Sequence, residues 1–234
     1  IRRAIPAVGR IELPGHPSIP FGGTGFVVGK DLLMTNRHVA ELFATGLGTR
    51  GLGFRSQQTA GIDFEQRIDG GSLFLEVIGA VMIHPYWDMA LLKVAGLPDS
   101  LEPLRLAGIA ESMSPRDVAV IGYPAFDPRN NADVQRQVFG GVFDVKRLMP
   151  GRLNGTGDVE SFGKTVAAAL HDSSTLGGAS GSAVVDPATG DVVALHFGGR
   201  YLKSNFGVPA FELARDARVA DTGIKFVEAQ VPAA

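Results

Sequence analysis

The chain has 234 residues, 45% of them apolar and 20% charged, the balance of a globular protein and not of a disordered one. A net charge of −2 without a basic tract argues against a nucleic-acid partner, and apolar runs such as Val77 to Ile83 are too short to span a membrane. The absence of cysteine excludes disulfides, a thiol nucleophile and a cysteine-held zinc site.

The chain opens Ile1-Arg2-Arg3 with no apolar leader behind it, so a processed product or a domain of a longer parent is expected, and the compartment stays open. Short segments rich in Val, Leu, Ile and Phe, broken by Gly, Pro, Asn and Asp, then predict strands over 8–13, 24–28, 32–35, 73–83 and 89–94. Val39 to Thr45 has room for one short helical turn. A stretch rich in Gly, Pro, Ser and Glu over 95–113 is the natural boundary between two halves. Beyond it, strands are expected over 118–123, 137–145, 166–170, 183–186, 192–197 and 206–209, with a Pro- and Gly-turned hairpin at Asp186–Asp191. Residues 124–132 are too polar and turn-rich for a strand and read as a surface loop bordering a substrate groove or a partner. Phe211 to Val219 carries the best helical periodicity. An all-β chain with evenly spaced strands fits barrels or a sandwich.

Three segments carry chemistry. Leu32-Leu33-Met34-Thr35-Asn36-Arg37-His38 is an apolar strand ending in a polar step that presents His38. His84-Pro85-Tyr86-Trp87-Asp88-Met89-Ala90 places Asp88 just before a buried strand. Thr175-Leu176-Gly177-Gly178-Ala179-Ser180-Gly181-Ser182 sets Ser180 at the apex of a Gly-rich turn. Acyl transfer needs these residue types together. A serine hydroxyl attacks only when an imidazole takes its proton, and the imidazole needs a carboxylate to fix its tautomer. The flanking glycines let the backbone turn sharply, so that the N–H groups of Gly178 and Ser180 can face a developing oxyanion. His16, His84, His171 and His196 show no metal-ligand spacing, and no metal or cofactor is expected. The Gly-x-Ser-x-Gly pattern of α/β-hydrolases is broken by Ser182.

In this order and spacing, 50 residues from His38 to Asp88 and 92 from Asp88 to Ser180, the three segments resemble the His, Asp and Ser motifs of trypsin-like, chymotrypsin-fold serine peptidases. The resemblance runs from about Gly22 to Leu213. It implies two six-stranded antiparallel Greek-key barrels packed together with a short C-terminal helix. Residues 1–105 would form the lobe carrying His38 and Asp88, and residues 106–234 the lobe carrying Ser180 and the specificity pocket. It also implies a protein or peptide substrate, no nucleic acid, no membrane, and other domains of a longer parent chain as further partners.

The nucleophile segment and Val193-Ala194-Leu195-His196-Phe197-Gly198-Gly199 are similar to the bacterial glutamyl-endopeptidase-like branch. That likeness implies substrate binding by Thr175, His196, Gly198 and Gly199, with a preference for acidic P1 residues. Ser174 stands where Lys- or Arg-cleaving relatives carry Asp, which argues against a tryptic pocket. Ala179 stands where many relatives have an Asp that pairs with a new amino terminus and where the glutamyl branch often has Asn. Losing that brace keeps open a second reading, the same fold retained as an inactive pseudo-peptidase that binds or regulates. Asn at position 179 is expected to leave activity unchanged or higher.

Overall fold

The fold is taken from a computed structural model, which describes residues 1–65 and 70–227. The last seven residues of the expected second lobe, 228–234, lie outside the described residues.

Strands β1 (Val8–Glu12), β2 (Phe21–Gly29) and β3 (Leu32–Thr35) lead into a short helix, α1 (Arg37–Ala40). A small hairpin, β4 (Ala44–Leu47) and β5 (Arg50–Phe54), precedes β6 (Ala60–Asp63), β7 (Phe74–Ile83) and β8 (Ala90–Val94). The order β1-β2-β3-β8-β7-β6 closes on itself as a six-stranded barrel. Along β8, Ala90, Leu91, Leu92 and Val94 are buried and only Lys93 is exposed, so this strand is covered on both faces over most of its length.

The second half contains β9 (Leu106–Ala107), β10 (Arg116–Gly122), α2 (Ala132–Phe139), β11 (Arg147–Ser161), β12 (Lys164–His171), β13 (Ala183–Val185), β14 (Val192–Arg200) and β15 (Ser204–Pro209). Two short helices, α3 (Ala210–Ala214) and α4 (Ala217–Ala220), and strand β16 (Phe226–Val227) follow. The pairings β13-β10-β11-β12-β15-β14 return to β13, giving a second ring of six antiparallel strands. To this ring β9 adds a parallel pairing at β14, and β16 pairs parallel with β9. One buried cluster runs between the rings, joining Phe26, Leu33 and Leu91 to Tyr123, Leu195 and Val208.

Three expectations need correction. Residues 137–145 are not a strand: 137–139 finish α2, which Asn131 caps by accepting from Asp133 N and Val134 N and which left-handed Gly140 ends. Cap and stop outweigh the apolar residues between them. The strand lies downstream as β11, whose Gly- and Asn-rich middle hides it. Every second residue there faces solvent, and a bulge between Leu153 and Thr156 uses Gly155 at φ +88°. The helix expected over 211–219 is two helices, because Asp216 caps a fresh start at Arg218 N. Strands β4, β5 and β6 were not anticipated; β5 is largely exposed and carries two glycines.

Candidate active site

Asn36 ends β3 and begins α1, and its side-chain Nδ2 donates to the Asp88 carbonyl at 2.8 Å. This bond ties the His38 turn to the β7–β8 connection. The buried Asp88 carboxylate is then filled by His38 alone: Oδ1 accepts from the His38 backbone N–H at 3.0 Å and Oδ2 from ring Nδ1 at 2.7 Å. A carboxylate only accepts, so Nδ1 carries the proton. Nε2 is left without a partner among the described residues, on a half-exposed ring.

The Ser180 turn is held from the other barrel. Thr24 on β2 donates its N–H to Ser180 O (2.7 Å) and its hydroxyl to Gly178 O (2.9 Å), and its Oγ1 accepts from Tyr123 N (3.3 Å). Gly181 has φ +88°, and a Cβ there would collide with Thr24 O, so no other residue fits. Gly177 O accepts from Ala125 N at 2.7 Å. In a trans peptide the Gly178 N–H points the opposite way. Neither it nor the Ser180 N–H meets an acceptor among the described residues, while the intervening Ala179 N–H turns to Leu176 O at 3.2 Å. Two uncommitted donors therefore flank Ser180. Its hydroxyl makes no hydrogen bond to His38 in this structure.

Beside Ser180 lies a cleft of about 460 Å³ walled by Thr175, Leu176, His196, Gly198, Gly199 and Asn205. Asp127, Arg129 and Asn130 also line it, so the loop read from sequence as a groove border is one. The Thr175 hydroxyl donates to Asn205 Oδ1 at 2.7 Å, and Asn205 Nδ2 donates to Ser173 O at 2.6 Å. Thr175 thus spends its one hydrogen inside the wall. His196 is buried, with Nδ1 3.1 Å from Nε2 of the equally buried His171. Burial first, then the neighbouring His171 and His38, holds His196 well below the usual imidazole range. Burial likewise pushes His171 down to about 4.

Residues 23–195 match the family described as trypsin-like peptidase domain. The chain belongs to that family. A "Probable serine protease" of Lysobacter enzymogenes is 30% identical over 93% of this chain, which spans 63% of that relative's length. The active form of the Rv3671c protease from M. tuberculosis shares the fold at TM-score 0.63 and 22% identity, covering 98% of this chain and 86% of that one. Deg5 does so at TM-score 0.62 and 21% identity, covering 92% and 88%.

In this trypsin-like peptidase domain Thr175, Ser180, His196, Gly198 and Gly199 line one cleft, while His38 and Asp88 pair with each other and Gly178 belongs to the Ser180 turn. Ser174 lines a neighbouring groove behind the cleft with Asp172 and Ser173, and Ile1 lies apart beside Thr189 and Gly190. Thr24, Asn205 and His171 are the participants that sequence reading missed. A lone Thr in Gly-Gly-Thr-Gly and a lone Asn in a strand carry no pattern, and their roles exist only once distant strands meet.

Proposed function

We propose that this domain is a serine endopeptidase with Ser180 as nucleophile, His38 as general base and acid, and Asp88 as the group orienting His38. The observation that carries the reading is the His38–Asp88 pair, which turns ring Nδ1 to the carboxylate and leaves Nε2 without a partner among the described residues. Ser180 Oγ attacks the scissile carbonyl as His38 Nε2 takes its proton. The Gly178 and Ser180 N–H groups receive the oxyanion, and His38 returns the proton to the leaving amine. Water repeats the sequence on the acyl-enzyme, and the chain's own residues suffice. An acidic P1 residue is the preference the pocket favours, with His196 rather than Thr175 facing it. Since the relative is longer, we place the domain inside a larger parent protein that brings it to its protein substrate.

The pseudo-peptidase reading is favoured by the missing Ser180–His38 hydrogen bond together with Ala179. Labelling with a fluorophosphonate probe separates the two. Modification at Ser180 that disappears in Ser180→Ala is the expected result, and a folded wild type that resists the probe moves the binding-module reading to first place.

A further inference from the structure

Two buried histidines stand one behind the other at the cleft wall, and the outer one alone reaches the substrate space. His171 comes from β12 and His196 from β14, strands that do not pair with each other, and their rings meet edge to face at 5.2 Å between centroids. Their shared hydrogen bond has two possible senses. His171 Nδ1 decides between them, because it is buried and has no partner among the described residues. A buried lone pair left unmatched is tolerated more often than a buried N–H without an acceptor. Nδ1 is therefore the bare nitrogen of His171, Nε2 carries the hydrogen, and it donates to His196 Nδ1. A neutral imidazole has one hydrogen, so that of His196 sits on Nε2. That atom has no hydrogen-bond partner among the described residues, on a residue lining the cleft beside Ser180.

We infer that His171 is a specificity-positioning residue: it fixes His196 with its Nε2–H aimed into the cleft as a lone donor, so that the cleft selects P1 side chains bearing an acceptor oxygen, the amide of Gln as well as the carboxylate of Glu. The inference rests on the peptidase reading above and sharpens its substrate class. Three neighbours leave this donor without help. Thr175 and Asn205 satisfy each other and Ser173, and the Arg129 fork is closed on Asp127 through Nε and Nη2 at 2.8 and 2.7 Å. A donor that is not part of an ion pair distinguishes an oxygen from a methyl group far better than it distinguishes Glu from Gln.

Two measurements test it. Long-range 1H–15N correlation spectra of Ser180→Ala should show both His171 and His196 as Nε2–H tautomers; Nδ1–H at either one overturns the assignment without reference to turnover. Peptide substrates differing only in Glu, Gln or Leu at P1 then supply ratios of kcat/KM. In the wild type both Glu and Gln should exceed Leu. His171→Leu should lower both ratios roughly 10- to 100-fold, and His171→Gln, whose amide nitrogen can occupy the Nε2 position, should restore most of the loss. If the Leu variant does not fold, His171→Asn replaces it, since its shorter amide stops short of His196. A wild type that prefers Leu defeats the acidic-P1 reading and this inference together. A wild type that prefers Glu and Gln, with ratios unmoved in the variants, defeats the role of His171 alone.

Discussion

At the scale of single residues, Thr24 on β2 holds the Ser180 turn of the second ring against the first barrel. Its hydroxyl serves Gly178 and Tyr123 at once. Thr24→Val keeps the shape and removes both bonds, leaving a buried carbonyl and N–H unmatched. The expected cost is about 1–3 kcal/mol, read by urea unfolding, with slower fluorophosphonate labelling of Ser180. Ala179 changes the expectation drawn from sequence. Its side chain is fully buried, so Asn there must displace packed neighbours; Ala179→Asn should lose about 1–3 kcal/mol in thermal or urea unfolding rather than brace the turn. His38, Asp88 and Ser180 stood out in the sequence through their ordered motifs; the structure pairs the first two, and the triad itself is the proposal that labelling tests. Thr175 was legible as a pocket residue but not as a donor already spent on Asn205, a partner 30 residues away.

At the scale of elements, the connection between β7 and β8 is braced by α4. His84 Nδ1 accepts from Tyr86 N and Trp87 N, at 3.1 and 2.9 Å, which shapes the turn ahead of Asp88. Its Nε2–H donates to Asp216 at 2.9 Å, the carboxylate that Arg218 also grips. Asn at position 84 preserves an acceptor for the turn but cannot reach Asp216. His84→Asn should therefore unfold at lower denaturant, by about 1–3 kcal/mol, and label more slowly. The sequence placed His84 on the approach to Asp88; it held no sign of the distant Asp216. Short, nearly continuous apolar runs such as β3 and β8 were read to within a residue or so. β11 was not, because its glycines leave few apolar side chains to mark the inward positions, although every second residue faces solvent. The stretch around Phe139 misled in the opposite sense, its apolar residues serving one face of a capped helix.

Across the whole molecule, three histidines are held below the ordinary imidazole range, burial being the largest cause for each: His84, His171 and His196. Each is neutral when folded and takes a proton more readily once unfolded. Their contribution to stability is therefore complete above about pH 6.5, the unfolded value, and falls as the pH drops toward 4, where His171 itself titrates. Thermal melting between pH 7 and pH 4.5 should shift downward, and His171→Gln should show a shallower pH dependence than the wild type. The two-barrel plan was legible from strand spacing and motif order, while the parallel additions of β9 and β16 were not, being two-residue strands without a pattern of their own.

The bond from Thr24 N to Ser180 O spans most of the chain, and so carries a consequence for biosynthesis. His38 and Asp88 emerge from the ribosome well before the nucleophile; at roughly 5–20 residues per second the 92-residue interval between Asp88 and Ser180 takes about 5–20 s. On the proposed triad, a nascent chain holds the base before the nucleophile, and the Ser180 turn can dock on β2 only once residue 180 has been made. On that reading cutting power would arrive only at the end of folding, sparing neighbouring chains and the protein's own unfolded segments from premature attack.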